Sequence, residues 1–581
     1  MNISEVAAEQ EIALTDEASL TTATLLRRRA SDDHAALLFE DSQWSWREFV
    51  AEASRRAHLF RDLHEEARPF HIGVMLENVP EYLFAIGGAA FAGATVVGIN
   101  LTRRGEELAE DIRHTDCEMI ITDSVLVGKL EGLELGVDPD KILAIDSPEY
   151  SLRLDKYRDA GIPEVAAAQD PRTKLLLLFT SGSTGRPKAV ICTTGRFAGI
   201  ASREHMNLGR DDVSYNAMPL FHGNALMACW SNPLHTGGTF ALARRFSASR
   251  FVDDLVKFRA TYFNYVGRAL AYVLAQPERP EEKRTCLASA FGTEASRVDR
   301  EEFERRFGVV PTESYGASEG GLAIVRTPDT PEDALGRPRG DMTAAILNPD
   351  TLEECPPALF DENGRLVNAE EAIGEMANPT GARGFEGYYK NPSAVEERVR
   401  GDVFLTGDLG YRDEKGYFYF AGRTGEKMRV DSENFSAAPV ERILARYPHV
   451  SLAAVYPAPD ERTGDQVMAA LQVQEPSQFD PADFAQFLSS QPDLGTKWAP
   501  RYIRLVTDVP ITATRKINKI RLRNELWFVD DPIYYRPSAA LQYRLLTQED
   551  VDLIAREFEK NSRSNLLSAL RAPDYVPTRR N

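Results

Sequence analysis

The chain has 581 residues, 43% of them hydrophobic and 27% charged, with a formal net charge of −20. This length allows about three to five structural units around a large core, and the composition excludes a disordered chain. The acidic balance opposes nucleic acid or an anionic membrane as a partner over any broad face. The five dispersed cysteines, Cys117, Cys192, Cys229, Cys286 and Cys355, form no C-x-x-C and point to neither a disulfide framework nor a zinc site.

The first stretch, MNISEVAAEQEIALTDEA, is acidic and lacks the basic start and apolar core of a secretory signal, so a cytoplasmic location is expected. Next come strand-like segments (HIGVML, TVVGI, EMIITD, KILAID) alternating with helical patterns (PEYLFAIGGAAF, GEELAEDIRHT). That order predicts an α/β fold. The uncharged run Tyr82 to Leu101 approaches a membrane span in length, but its small residues and internal AGA predict a buried helix, a turn and a buried strand.

The stretch LLLLFTSGSTGRPKAV, Leu175 to Val190, puts an apolar strand directly before glycines, hydroxyls and a lysine. Gly182 and Gly185 allow backbone N–H groups to converge, Thr180, Ser181, Ser183 and Thr184 add hydroxyls, and Lys188 adds a cation. A phosphate fits that set. The spacing matches neither the Walker A pattern nor G-x-G-x-x-G.

Further along stand MPLFHGNALM (218–227), FGTEAS (291–296), ESYGASEGG (313–321), FLTGDLGYRDEKGYFYFAGRTGEKMRVDSENFS (404–436) and PITATRKINKIR (510–521). From about Gly336 the texture changes to short strands and turns, predicting a β-rich unit. A helix and strand alternation returns from SAAPVERILARYPHVSLAAVYPAP onward. The tail LTQEDVDLIAREFEKNSRSNLLSALRA predicts an amphipathic helix packed on or near the last domain.

These six motifs, in this order, resemble the adenylate-forming superfamily of acyl-CoA synthetases, luciferases and peptide-synthetase adenylation domains. MLENVPEYLFAIGGAAFAGATVVGINLTRRGEELAEDI and GRTGEKMRVDSENFS are most similar to the branch of fatty-acid-transport proteins and actinobacterial long-chain acyl-CoA synthetases, some of which activate sterol or terpenoid acids. The resemblance implies an α/β N-terminal domain over 1–424, with a β-rich subdomain over 336–424, and a small mobile α+β C-terminal domain over 425–581. It implies ATP, magnesium and coenzyme A as cofactors and a small-molecule carboxylic acid as substrate, with no nucleic acid and no integral membrane span. It leaves room for a homodimer.

Carried over by motif, Thr180, Ser181, Gly182, Ser183, Thr184, Gly185 and Lys188 clamp the triphosphate, while Glu319 and Thr184 hold magnesium. Gly292, Thr293 and Glu294 line the adenine pocket, Tyr315 stacks on the base beside Gly316, and Ser318 precedes Glu319. Asp408 accepts the ribose hydroxyls and Arg423 contacts ribose and phosphate. His222 sits beside the acyl carboxylate, and Lys516 reaches the α-phosphate during adenylation. Glu433 follows Ser432, where relatives carry glycine near the pantetheine thiol.

Blander readings stand beside these: Tyr315 as a core aromatic, Asp408 as a turn residue, His222 as structural, and Lys516 as part of a basic run in which Lys519 is the alternative. Trp230, Tyr265, Val266 and Phe291 are expected either to line an acyl pocket or to pack the core. Ser432 leaves open an enzyme that runs mainly one half-reaction. A non-catalytic nucleotide-binding role is the rival outside enzymology, and a peptide-synthetase role lacks its carrier-domain serine after Lys516.

Overall fold

The computed structural model describes residues 20–567 except 181–187, 203–206, 294, 296, 333, 363–365, 424–426, 431–432, 462–464, 492–493, 496, 511–516, 539, 562 and 565–566. The fold is mixed α/β. The chain divides into two compact units, Met1–Arg326 with Arg383–Glu397, and Thr327–Ala382 with Arg398–Asn581.

Two sheets organise the first unit. In one, the strands run in the order Ile142–Ala144, Met119–Thr122, His71–Val74, Thr95–Gly98, Lys174–Thr180 and Lys188–Thr193. All neighbours are parallel except the last pair, where Lys174–Thr180 turns back antiparallel on Lys188–Thr193. The expected helix, turn and strand over Tyr82 to Leu101 is present. Helix Pro80–Ala92 ends at Gly93, whose φ is +71°, and strand Thr95–Gly98 follows. A left-handed cap of this kind suits glycine because no Cβ meets the carbonyl. The small residues earn their place by close packing on helix Trp46–Leu63, since a Cβ added at Gly87 would lie 2.8 Å from the Ala53 methyl. No helix among the described residues is long and apolar enough to cross a membrane.

The second sheet of this unit runs Ala323–Val325, Pro311–Gly316, Ser289–Thr293, Tyr262–Val266, Val213–Asn216, Thr239–Leu242, Ala35–Phe39 and Ser42–Ser45. Its interior strands are parallel, an arrangement that takes helices on both faces, and Val213–Asn216, Thr239–Leu242 and Tyr262–Val266 are almost wholly buried, whereas Ser289–Thr293 and Pro311–Gly316 are only partly so. Trp46, Phe49, Phe197, Trp230 and Tyr262 lie in the core that joins the helices to it.

In the second unit a β-rich sheet is built around the long strand Val403–Arg412, flanked by Gly374–Asn378, Val399–Arg400 and Phe418–Arg423, with Ala345–Leu347 beyond. A further sheet has the order Leu452–Pro459, Asp465–Gln472, Tyr502–Val506, Ile533–Tyr535 and Arg544–Leu545. The tail forms the expected helix, Gln548–Lys560. Thr547 and Asp550 close its N-terminus as a capping box, and Ile554 and Phe558 bury against Leu522, Leu526 and Trp527.

Candidate functional site

Strand Lys174–Thr180 ends on the first residue of the hydroxyl-rich loop, and the antiparallel return puts Thr180 opposite Lys188. Ser181, Gly182, Ser183, Thr184 and Gly185 lie outside the described residues. At the edge of the loop, Thr180 Oγ1 lies 3.4 Å from Glu319 Oε1, and the Tyr388 hydroxyl donates to the same oxygen at 3.0 Å. Among the described residues nothing meets the other oxygen, Oε2. Lys188 is buried, its Nζ 2.8 Å from Glu397 and 5.3 Å from the centre of the Tyr388 ring.

Parallel strands deliver the neighbouring motifs to one end of their sheet. Gly292 pairs with Tyr265 and Thr293 with Val266, while Tyr315 and Gly316 close the strand Pro311–Gly316. Tyr315 is half-buried and Gly316 exposed. Glu313, two residues earlier, ties FGTEAS to ESYGASE: it accepts from the Ala295 N–H at 2.6 Å and from Arg300 at 2.9 Å. Burial pushes the Glu313 carboxyl up from its usual range, against the pull of Ala295 N–H and Arg300. Glu294 itself lies outside the described residues.

His222 opens the short helical turn Gly223–Ala225, with its ring 4.4 Å from that of Phe221. This turn abuts the Glu319 loop, because a Cβ at Gly223 would reach Ser318 Oγ at 2.7 Å. His222, Ser318, Glu319, Thr180 and Lys188 are thus brought together. A π-helical turn, Leu226–Trp230, follows, and the Tyr262 hydroxyl donates to the Ala228 carbonyl at 2.5 Å. Of the candidate acyl-lining residues, Trp230 is packed between Phe49 and Phe197 and Tyr265 is fully buried, both as core. Val266 and Phe291 are half-buried beside the same strand ends.

In the second unit, the antiparallel register of Val403–Arg412 and Phe418–Arg423 pairs Asp408 with Arg423. Asp408 N–H donates to Thr406 Oγ1 at 3.1 Å. Gly407 before it, inside the strand Val403–Arg412, has φ +75°, a backbone conformation that favours glycine. The buried Glu375 carboxylate accepts the Gly407 N–H at 2.5 Å, and burial pushes its pKa up. Strand Glu433–Ser436 pairs with Lys427–Val430. Ser432 and Lys516 lie outside the described residues, whereas Lys519, the alternative lysine, is held by Glu441 at 2.8 Å.

Sequence reasoning missed several supports. Arg196 donates to the Ser318 carbonyl at 2.6 Å and the Ile191 carbonyl at 3.0 Å, strapping the Glu319 loop to the strand after Lys188. Glu386 accepts from both the N–H and the hydroxyl of Thr193, at 2.8 and 2.6 Å. Neither stands in a motif. Tyr388 sits in GYYKNP, whose adjacent tyrosines were the available signal.

A carboxylate with neutral hydroxyl donors on one oxygen, beside a phosphate-type loop, is a hard-oxygen donor of the kind magnesium takes together with substrate phosphates. No group of three or more His, Cys, Asp or Glu that could hold a metal forms among the described residues. Residues 26–375 match the model of the AMP-binding enzyme family and 439–516 that of the AMP-binding enzyme C-terminal domain. The chain belongs to the AMP-binding enzyme family.

Among relatives of this AMP-binding enzyme, a steroid-22-oyl-CoA synthetase of Rhodococcus jostii (strain RHA1) is 47% identical over 550 residues, covering 94% of this chain and 99% of that one. A medium/long-chain-fatty-acid–CoA ligase, FadD17 of Mycobacterium tuberculosis (strain ATCC 25618 / H37Rv), is 42% identical over 516 residues, covering 88% and 98%. In fold, the enzyme is similar to ATP-bound MatB from Rhodopseudomonas palustris (TM-score 0.72, 22% identical, 87% of this chain and 98% of that one). It is also similar to the anthranilate CoA ligase AuaEII (TM-score 0.74, 19% identical, 88% and 98%).

Proposed function

We propose that this AMP-binding enzyme is an ATP-dependent, AMP-forming ligase that joins a bulky hydrophobic carboxylic acid to coenzyme A, with a sterol side-chain acid as the first candidate. The observation that carries this reading is kinship over 94% of the chain with a steroid-22-oyl-CoA synthetase. The 42% identical fatty-acid ligase supports a long-chain fatty acid as the second reading.

The reaction brings two anions together. A carboxylate oxygen attacks the α-phosphorus of ATP and pyrophosphate leaves; the CoA thiol then attacks the acyl carbonyl and AMP leaves. Both attacks need offset charge in a site shielded from water. In this proposal the loop Thr180 to Gly185 and Lys188 hold the triphosphate, Lys516 meets the α-phosphate and attacking carboxylate, and His222 orients the acid. Tyr315 stacks on adenine with Gly292, Thr293, Glu294 and Gly316 around it. Asp408 accepts the ribose hydroxyls, with Arg423 beside it, and Ser432 and Glu433 border the thiol's approach. Glu319, with Thr184, would hold magnesium. When bound, magnesium neutralises charge on the departing pyrophosphate. A domain boundary at 424/425 and a cytoplasmic location complete the proposal; the free thiols Cys117, Cys192, Cys229, Cys286 and Cys355 suit a reducing compartment.

Mass spectrometry of the protein with magnesium, ATP, CoA and a panel of acids (medium and long fatty acids, a sterol side-chain acid, a diterpenoid acid) tests it. The expected result is the sterol acyl-CoA and AMP in highest yield. Thioester from fatty acids alone would favour the second reading. No thioester from any of them, or thioester only from supplied acyl-adenylate, would overturn the full two-step activity.

A further inference from the structure

We infer that Tyr388 is a positioning residue for the metal-dependent step: its hydroxyl, with that of Thr180, fixes Glu319 through Oε1 so that Oε2 is presented to magnesium. The inference rests on the proposed role of Glu319 and adds the group that aims it.

A glutamate carboxylate has three side-chain torsions to freeze before it can serve as one fixed ligand, and freezing them costs entropy. The Tyr388 hydroxyl donates to Oε1 at 3.0 Å, and Thr180 Oγ1 stands 3.4 Å from both that oxygen and the Lys188 carbonyl, so the contacts gather on one oxygen and leave the second oxygen's lone pairs for a cation. Both donors are neutral. An ammonium or guanidinium in their place would neutralise the carboxylate and weaken its hold on a divalent ion, whereas a phenol orients the group and leaves its charge intact. Lys188, whose Nζ lies 5.3 Å from the centre of the ring, is engaged instead with Glu397.

The phenol is itself fixed. Tyr388 is only 4% exposed and lies edge-on to Phe385, with ring centres 5.0 Å apart. Its backbone bridges to Val190 in the strand Lys188–Thr193. On either side, Ile191 N–H donates to the Gly387 carbonyl at 3.1 Å and Tyr389 N–H to the Ala189 carbonyl at 2.8 Å. Glu386 clamps Thr193 just before the bridge, and Tyr389 donates to Asp116 at 2.6 Å just after it. The segment Arg383–Glu397 thus extends the sheet next to the loop-bearing strand and delivers one hydroxyl to Glu319.

The test is ATP binding by calorimetry without acid substrate, in saturating magnesium and in EDTA. The ratio of the two affinities measures the coupling between metal and nucleotide. Tyr388→Phe removes one hydroxyl and should reduce that ratio by about 3- to 10-fold, with affinity in EDTA and the melting temperature unchanged. On a Glu319→Gln background, Tyr388→Phe should have no further effect, because the group it aims is gone. Equal loss of affinity in magnesium and EDTA, or a loss that adds to that of Glu319→Gln, would overturn the inference and assign Tyr388 to the fold or to Lys188. If Glu319→Gln alone left the coupling at the wild-type value, the proposed role of Glu319 would fall, and the inference with it.

Discussion

Two candidate carboxylates, one in each unit, are held by opposite strategies. Asp408 is built mostly locally: one antiparallel register sets it across from Arg423, and only the Gly407 N–H before it is held from farther off, by the buried Glu375 32 residues away. Glu319 is built from a distance, from Thr180, 139 residues away, and Tyr388, 69 residues away, with Arg196 strapping its loop across 122 residues. A hairpin fixes its own geometry as it forms, whereas a parallel sheet places its end residues only once several crossovers have closed. The same chemical group therefore depends on neighbours in one case and on the whole unit in the other.

That contrast can be broken at several points. The largest effect should come from Asp408→Ala, which removes the proposed ribose acceptor: acyl-adenylate formation, read by pyrophosphate exchange, should fall about 10²- to 10³-fold, the scale of one aligned polar group in a water-excluded site. Because Asp408 is held by its own hairpin, the melting temperature should barely move. A wild-type exchange rate would remove Asp408 from the site.

Arg196→Ala should instead register as stability. It leaves the Ser318 and Ile191 carbonyls without their donor and should cost about 1–3 kcal/mol by denaturant unfolding of the first unit, with a raised KM for ATP as the Glu319 loop loosens. An unchanged unfolding midpoint would mean that Glu319 is held as locally as Asp408.

The smallest effect sharpens the local side. The Glu375 pKa is raised by burial, so the folded protein binds this proton more tightly than the unfolded chain. Stability is therefore greatest below the usual carboxylate pKa and is lost as pH rises from there through the raised value. Glu375→Gln keeps an acceptor for Gly407 N–H and should flatten that part of the stability-against-pH curve while leaving adenylation near wild type. An unaltered slope would show that the carboxylate is not the group titrating there.

How much of this was legible follows the same division. The helix, turn and strand of Pro80–Gly98 could be read because buried small residues and a glycine cap are local patterns. The tail helix was legible from its amphipathic pattern. The opening loop could be read as a candidate phosphate site from its hydroxyls, glycines and lysine, but residues 181–187 lie outside the described residues. Arg196, Glu386 and Glu313 were not, because an arginine strapping a carbonyl leaves no periodicity and depends on which strands become neighbours. Trp230 shows the converse. An aromatic beside a motif suggested a pocket wall, and packing between Phe49 and Phe197 makes it core. Which hydrophobic acid the enzyme takes was equally hidden, since pocket walls come from scattered elements that no single stretch announces.

The first unit is made of two stretches, Met1–Arg326 and Arg383–Glu397, with part of the second unit encoded between them. A ribosome delivers them in that order. Glu319 leaves the tunnel with Thr180 already made, but its tyrosine follows 69 residues later, about 3–14 s at ordinary translation rates. During that interval the nascent chain carries a complete set of phosphate-loop residues and a carboxylate with half its supports. Cutting the gene at residue 375, where the match to the main family model ends, would fix the protein in that state: every residue of the opening loop present, and the hydroxyl that holds Glu319 never supplied.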